Sequence, residues 1–152
     1  MIILYTNVIS EPIKPNSNPA VTDWLDRQLA ETLYLTATGS SELLVGIEIL
    51  PDGKRKQELS IALKELMIKF FGPRILPFDQ LAAIAYAPLI GRAKLSGQSI
   101  SVADGQIAAI ASVHGFTIAT KRRRAFCSLW GAHNQSMGTI IQSYKPFFLQ
   151  IS

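Results

Sequence analysis

The chain has 152 residues, of which 48% are hydrophobic and 17% charged, so its size and composition are those of one globular domain. No apolar run approaches the ~18 residues that a membrane helix needs. The single cysteine, Cys127, excludes an internal disulfide, as expected for a cytoplasmic protein. The net charge of +4 is uneven: residues 1–120 hold 10 basic and 11 acidic residues, whereas residues 121–152 hold 5 basic residues and no acid. The basicity therefore belongs to the last stretch alone.

The first half of the chain alternates between apolar runs and helical periodicities. These patterns predict a buried strand, a helix, a second strand and, after a break at Gly39, a second helix; the segments are Met1–Leu4, Ala20–Leu29, Leu33–Ala37 and Ser40–Leu50. Glu42 would lie in the first turn of the second helix. The polar residues Tyr5, Thr6 and Asn7 directly follow the first strand, where open α/β sheets place their sites.

The second half continues the alternation. It predicts a long amphipathic helix that buries Leu59, Leu63, Leu66 and Phe70, then a short strand, two helices and a last strand; the segments are Lys54–Phe71, Arg74–Phe78, Asp79–Leu95, Ser101–Gly115 and Phe116–Thr120. Strands alternating with helices favour an α/β fold with a largely parallel sheet covered on both faces.

Ile100–Ala111 combines a helix start with a candidate functional acid. Ser101 is expected to cap the helix by accepting the backbone N–H of Asp104, and an apolar run follows. Asp104 then lies in the first turn, at the positive end of the helix dipole. A capping box with no further role is the alternative, because such boxes are common.

Several stretches in register resemble the PIN-domain family, in its VapC and FitB branch of type II toxin–antitoxin toxins. They are Met1–Pro12 (Met-Ile-Ile-Leu-Tyr-Thr-Asn-Val-Ile-Ser-Glu-Pro), Glu31–Ala37, Glu42-Leu43 with Gly46-Ile47, Lys54-Arg55, Arg74–Asp79 and Ile100–Ala111. The resemblance spans residues 1–121 and implies a three-layer α/β/α sandwich with a nuclease site at one edge of the sheet.

The resemblance implies a ribonuclease that uses Mg²⁺ or Mn²⁺ to hydrolyse RNA phosphodiester bonds. Glu42 and Asp104 match two of the family's catalytic, metal-binding acids, and Thr6, Asn7, Ser101 and Thr120 match supporting positions. For Glu42 alone, a solvated acid near the start of a helix is the alternative. The implied partners are the RNA substrate, a cognate antitoxin and a second copy of the chain. The apolar faces of helices such as Ala20–Leu29 and Lys54–Phe71 are expected to bind the antitoxin or the second copy.

Two departures weaken the implied site. Tyr5 stands where the family has its first metal-binding Asp, and a phenol is neutral at physiological pH. The family pattern Thr-x-Asn-x-x-Asp-Phe becomes Thr-Lys-Arg-Arg-Arg-Ala-Phe at residues 120–126, so Ala125 replaces the last acid and Arg122 the Asn. Loss of anionic ligands predicts weak metal binding and impaired activity.

The family ending, close to Cys-Gly-Val-x-Ile-Ile-Asn-Pro-Trp, is absent. When suitable codons for it are read from their third bases, they give Trp-Gly-Ala and Asn-Gln-Ser-Met, the residues of Trp130–Ala132 and Asn134–Met137. We therefore expect a nuclease domain at residues 1–121, a frameshift near Lys121 and an off-frame basic tail at residues 122–152. The alternative is an RNA-binding patch at Lys121–Arg124.

Three functional hypotheses follow from these observations. The chain is a ribonuclease toxin, a catalytically silent relative that only binds an antitoxin or a second copy, or a decayed copy with no present role.

Overall fold

A four-stranded parallel sheet forms the centre of the molecule. The computed structural model describes residues 1–121, and its strands are β1 (Ile2–Leu4), β2 (Leu33–Thr36), β3 (Ile75–Leu76) and β4 (Thr117–Ala119), in the order β3-β2-β1-β4. In the register of the sheet, Ile3 of β1 lies opposite Tyr34 of β2 and Ile118 of β4. Because every pair is parallel, all four strands end at the same edge.

Six α-helices surround this sheet within residues 1–121. They are α1 (Thr6–Ile9), α2 (Pro19–Asp26), α3 (Ala37–Glu48), α4 (Lys54–Glu65), α5 (Gln80–Leu95) and α6 (Val102–His114). Short 3₁₀ turns lie at Glu11–Ile13, Ala30–Thr32 and Gly72–Arg74. In this part of the chain, no helix is long and apolar enough to cross a membrane.

Side chains of β1 alternate between two separate cores, as the pleat of a strand requires. Ile3 and Tyr5 pack with α5 and α6 on one face of the sheet, whereas Leu4 packs with Val8, Val21 and residues of β2 on the other. The predicted three-layer α/β/α sandwich is therefore confirmed. α6 lies against the sheet, and its residues from Ile107 to Ala111 are all almost fully buried.

The predicted break at Gly39 is wrong. Thr36 ends β2 and caps α3, since its side-chain oxygen accepts the N–H of Gly39 at 2.9 Å. Gly39 therefore lies inside the first turn of α3. The helical spacing of Ser40–Leu50 also predicts that Leu44 faces the core, but Leu44 is 37% exposed.

The predicted helix Lys54–Phe71 is only partly α-helical. α4 ends at Glu65, and Leu66–Phe71 continues as a π-helix, whose wider turn rotates the following side chains around the axis. Phe71 is therefore buried at 1% exposure, whereas Phe70, expected in the apolar stripe, is 39% exposed. The Arg74 guanidinium then lies over both rings and donates hydrogen bonds to the carbonyls of Ala30, Leu33 and Phe70.

Candidate active site

The candidate site lies at the edge of the sheet where the strands end. Tyr5 follows β1, Thr36 ends β2 and Thr120 follows β4, so these residues are brought together by the parallel topology. α6 leads into β4, and its N-terminus therefore reaches the same edge. This edge is where parallel α/β sheets present their sites.

Asp104 is held from two directions in the first turn of α6. Its backbone N–H donates to Ser101 Oγ at 3.0 Å, which confirms the predicted cap. The Tyr5 hydroxyl donates to Asp104 Oδ1 at 2.7 Å, and both residues are only 3% exposed. The residue that replaces the family's first acid therefore supplies a hydrogen-bond donor to one of the remaining acids.

Asn7 connects α1 to the residues that follow β4. Its Nδ2 donates to Thr120 Oγ1 at 3.3 Å, and its Oδ1 accepts the backbone N–H of Lys121 at 3.1 Å. Thr6 lies beside α3, since a Cβ on Gly39 would be 3.8 Å from the Thr6 methyl group. The structure thus places the predicted supporting residues Thr6, Asn7, Ser101 and Thr120 at one edge.

Glu42 lies in the second turn of α3, so the predicted first-turn position is wrong. The helix starts at Ala37 because Thr36 caps it, which moves Glu42 one turn further from the N-terminus. Glu42 Oε2 is shielded from solvent. α3 packs against α6, and Thr38 Oγ1 donates to Gln106 Oε1 at 3.0 Å between the two helices. Glu42 and Asp104 are therefore on neighbouring helices at the same edge.

A groove of about 990 Å³ opens beside these residues. The polar residues that line it include Thr6, Asn7, Glu42 and Arg55. Most of the other lining residues are apolar, and many of them come from α3, α4 and the π-helix, including Leu43, Ile47, Leu59, Leu63, Leu66 and Phe71. The groove can accept a ligand with apolar groups and at least one polar group.

The residues at the edge do not fit a tightly held divalent ion. Hard cations such as Mg²⁺ need several oxygen ligands, usually including carboxylates. Asp104 Oδ1 already accepts the Tyr5 hydroxyl. Among residues 1–121, no three His, Cys, Asp or Glu side chains form a group that could hold a metal ion. The predicted last-acid position, Ala125, lies outside the described residues, as do Arg122–Arg124 and the rest of the predicted tail.

Sequence reasoning missed the role of Glu11, which is 2% exposed. Its Oε2 accepts from Lys14 Nζ at 2.7 Å and Lys121 Nζ at 3.3 Å, and its Oε1 accepts the Asn18 N–H at 3.0 Å. The hydrogen bond from Lys14 is the largest of the effects that lower the pKa of Glu11 from 4.5 to about 2. The Glu-x-x-Lys spacing at residues 11–14 is the one local sign of this cluster.

The protein is an α/β protein of the three-layer α/β/α class, with acidic side chains at the edge where its parallel strands end. A family model described as PIN domain matches residues 2–128, and the chain belongs to that family. The match ends beyond the last described residue and leaves residues 129–152 outside it.

Named relatives cover most of the chain. Toxin FitB of Neisseria gonorrhoeae is 44% identical over 126 residues, covering 83% of this chain and 91% of FitB. VapC ribonuclease Y4jK of Sinorhizobium fredii is also 44% identical over 126 residues, covering 83% of this chain and 90% of the relative. Plasmid stability protein StbB of Pseudomonas syringae is 44% identical over 121 residues, covering 80% and 87%.

Solved structures agree on the fold. The structure described as FitAB bound to IR36 DNA fragment superposes with a TM-score of 0.81 at 41% identity, covering 85% of this chain and 90% of that chain. VapBC2 from Rickettsia felis superposes with a TM-score of 0.65 at 21% identity, covering 83% and 91%, and supports the fold alone.

Proposed function

We propose that this chain is the toxin component of a toxin–antitoxin pair, descended from ribonucleases that hydrolyse RNA phosphodiester bonds, and that its own hydrolytic activity is impaired. The relatives named as a toxin and as a VapC ribonuclease support the ancestry. The observation that carries the impairment is the hydrogen bond from the buried Tyr5 hydroxyl to Asp104. It puts a neutral donor where the resemblance implies an anionic ligand.

Weak binding of Mg²⁺ or Mn²⁺ follows from the donors that remain. Glu42 and Asp104 are the residues that would contact the ion, with Thr6 and Asn7 nearby. When bound, the ion would supply positive charge at the scissile phosphate. The proposed substrate is RNA, and the proposed location of the protein is the cytoplasm.

A titration of Mn²⁺ and Mg²⁺ followed by calorimetry tests the site, with RNA cleavage measured in parallel. We expect weak binding and little or no metal-dependent cleavage by the unmodified chain. Tyr5→Asp, combined with the in-frame family ending, is expected to raise both metal affinity and cleavage, because it restores an anionic ligand.

Tyr5→Phe is the matched control for this experiment. It removes the hydroxyl from Asp104 without adding a ligand, so metal affinity is expected to stay far below that of Tyr5→Asp. Vigorous cleavage by the unmodified chain, abolished by Asp104→Ala, would overturn the proposed impairment. An unchanged titration in Tyr5→Asp would count against the whole site.

The alternative is a catalytically silent protein that only binds an antitoxin or a second copy. The apolar wall of the groove favours this function, because it offers Leu43, Ile47 and Leu59 to an apolar partner segment. Ile61 on α4 and Ile68 on the π-helix are largely exposed, and a second copy of the chain could cover them in a homodimer. Light scattering would measure the molar mass in solution and so distinguish a monomer from a dimer.

Co-purification with a co-expressed candidate antitoxin tests the groove as the antitoxin-binding surface. Leu43→Glu is expected to abolish co-purification, since it puts a charge on the apolar wall. Leu81→Glu is the matched control, because Leu81 is 61% exposed on α5 and does not line the groove. Equal behaviour of the two variants would remove the groove from the partner interface.

A further inference from the structure

Two lysine ammonium groups share one buried carboxylate oxygen beside the candidate site. Lys14 Nζ is 2.7 Å and Lys121 Nζ is 3.3 Å from Glu11 Oε2. The two lysines are 107 positions apart in the chain, since their numbers are 14 and 121. The Lys14 side chain is 45% exposed and that of Lys121 is 28% exposed, whereas that of Glu11 is 3% exposed.

This cluster carries an excess of positive charge. Glu11 is ionised at neutral pH, because its pKa is lowered to about 2. One ammonium group neutralises one carboxylate, so the second leaves a net charge of +1 on a partly exposed surface. Two like charges around one oxygen repel each other, and an anion from outside would relieve that repulsion.

The cluster borders the residues of the candidate site. The Lys121 backbone donates to Asn7, which in turn donates to Thr120. Lys14 lines the same groove as Asn7, Glu42 and Arg55. An RNA strand bound in this groove would therefore contact the surface that Lys14 lines, and Lys121 shares the Glu11 carboxylate with Lys14.

We propose that Lys14 and Lys121 form a phosphate-binding pair that holds the backbone of a single-stranded RNA. Glu11 is the positioning residue, because its buried carboxylate holds both ammonium groups close together, and Lys14 lines the groove. The inference rests on the proposed function only for the identity of the ligand, RNA. Phosphate contacts by lysine need no base recognition and show themselves in the salt dependence of binding.

The test is the binding of a fluorescent single-stranded RNA of about 12 nucleotides to the full chain, followed by anisotropy in EDTA over roughly 0.05–0.3 M KCl. Each phosphate contact contributes about 0.7 to the slope of log affinity against log salt for a single strand. We therefore expect Lys14→Gln and Lys121→Gln each to lower that slope by about 0.7 and to weaken binding about fivefold at 0.1 M salt.

Lys69→Gln is the matched control, because Lys69 also pairs with a glutamate, Glu65, at 2.7 Å, but does not line the groove. It is expected to leave the slope unchanged. Lys14→Arg keeps the charge and is expected to keep the slope. Glu11→Gln removes the carboxylate that holds both lysines and raises the net positive charge by one. We expect it to weaken RNA binding, because the lysines are no longer positioned. If Glu11 acted only through its negative charge, its removal would strengthen binding instead.

The outcomes separate the two proposals. RNA binding with an unchanged slope in both lysine variants overturns the phosphate pair and leaves the proposed function intact. An unmodified chain that does not bind RNA overturns the RNA substrate and the pair together. Thermal melting of each variant confirms that it is folded, and Lys14→Gln, at a partly exposed position, serves if a change at Lys121 prevents folding.

Discussion

At the scale of single residues, Tyr5 changes the electrostatics at the end of β1, because a neutral hydrogen-bond donor lies beside Asp104 where an aspartate would need a cation. An aspartate there would face Asp104 across a buried edge, and two carboxylates so placed repel each other unless a cation lies between them. The Tyr5 hydroxyl instead donates to Asp104 Oδ1 at 2.7 Å. A hydrogen bond to a charged group contributes about 1.5–3 kcal/mol to stability. The substitution thus removes the need for an ion at the position where the family's ligands meet.

The first prediction concerns the stability that Tyr5 provides. Millimolar Mg²⁺ is expected to raise the melting temperature of the unmodified chain only slightly above its value in EDTA, because the ion binds weakly. Tyr5→Phe is expected to lower the free energy of unfolding by about 1–3 kcal/mol, because Asp104 loses a buried donor. Tyr5→Asp is expected to melt lower in EDTA and to recover in Mg²⁺. A large Mg²⁺ effect on the unmodified chain would show that the hydroxyl does not replace the ion.

The second prediction concerns Glu11 and pH. Its pKa is lowered from 4.5 to about 2 in the folded chain, mainly by the Lys14 hydrogen bond. Glu11 therefore stabilises the fold above about pH 4.5, and the contribution is lost as the pH falls toward 2. Glu11→Gln is expected to lower the free energy of unfolding by about 2–3 kcal/mol at pH 7.

Urea unfolding of the two proteins at several pH values measures this difference, which is expected to shrink below pH 4.5. Lys14 Nζ and Lys121 Nζ both lie within 3.3 Å of Glu11 Oε2. A difference that is constant from pH 7 to 3 would mean that packing, not ionisation, accounts for the cost.

Sequence reasoning succeeds at this scale where the partners are close along the chain. The Ser101 cap of Asp104 is predictable, since donor and acceptor are three residues apart and the pattern recurs in helix starts. Glu11 is not predictable in the same way, because Lys121 approaches it only after β4 is added beside β1. The Tyr5–Asp104 bond likewise depends on the fold, although the resemblance marks both positions.

At the scale of elements, the close contact between α5 and α6 depends on a glycine. A Cβ on Gly105 would lie 2.7 Å from both Tyr86 Cε2 and Ile90 Cδ1. Contacts that short require the Tyr86 ring, the Ile90 side chain or the helices themselves to move, so a side chain at Gly105 would disturb the present packing of α5 against α6. Because Asp104 immediately precedes this glycine, the helix contact also fixes the position of the candidate acid.

The third prediction compares two glycines of this helix pair. Gly105→Ala is expected to lower the free energy of unfolding by about 1–2 kcal/mol, because the strain of overpacking outweighs the gain in helix propensity. Gly91→Ala on α5 is the matched control, since nothing lies within 4 Å of its Cβ position. It is expected to stabilise by about 0.5–1 kcal/mol. Denaturant unfolding measures both, and a stabilising Gly105→Ala would contradict the packing role.

Element types follow from the sequence more reliably than their ends. The order of strands and helices is predicted by apolar runs and periodicity, since both report which face is buried. The π-helix at Leu66–Phe71 has no such sign, because apolar periodicity does not mark where an α-turn widens, and this wider turn is what buries Phe71 in the core beside β2. The Thr36 side chain caps α3 and so sets where this helix begins. In the sequence, Gly39 indicates a break between strand and helix more strongly than Thr36 indicates a cap, and the predicted start of the helix is therefore too late.

At the scale of the whole molecule, the charge is divided sharply along the chain. Residues 1–120 hold one more acid than base, whereas residues 121–152 hold 5 bases and no acid. The PIN domain match ends at residue 128, close to this division. An abrupt change in composition where a family pattern stops is what translation in a different reading frame produces, since the new frame is not selected for charge or burial.

The last prediction is that the gene carries a one-base insertion or a two-base deletion near codon 121. The family ending Cys-Gly-Val-Arg-Ile-Ile-Asn-Pro-Trp can be encoded as TGT-GGG-GTG-CGC-ATA-ATC-AAT-CCA-TGG. Read from the third base, it becomes TGG-GGT-GCG-CAT-AAT-CAA-TCC-ATG, which encodes Trp-Gly-Ala-His-Asn-Gln-Ser-Met, the uninterrupted run Trp130–Met137. His133 joins the two shorter matches in a single register.

A match of eight consecutive residues is a strict test of the frameshift, because the family sequence allows few amino acids at each position of the shifted frame. In each shifted codon the second and third bases come from the first two bases of a family codon, which the family residue largely fixes, so only a handful of amino acids is open at each position. An RNA-binding patch at Lys121–Arg124 would account for the positive charge but not for this register. Sequencing the gene decides between them: reversal of the shift must restore the Asp-Phe pair and the family ending, and a gene in which neither frame contains them would leave the basic patch as the explanation.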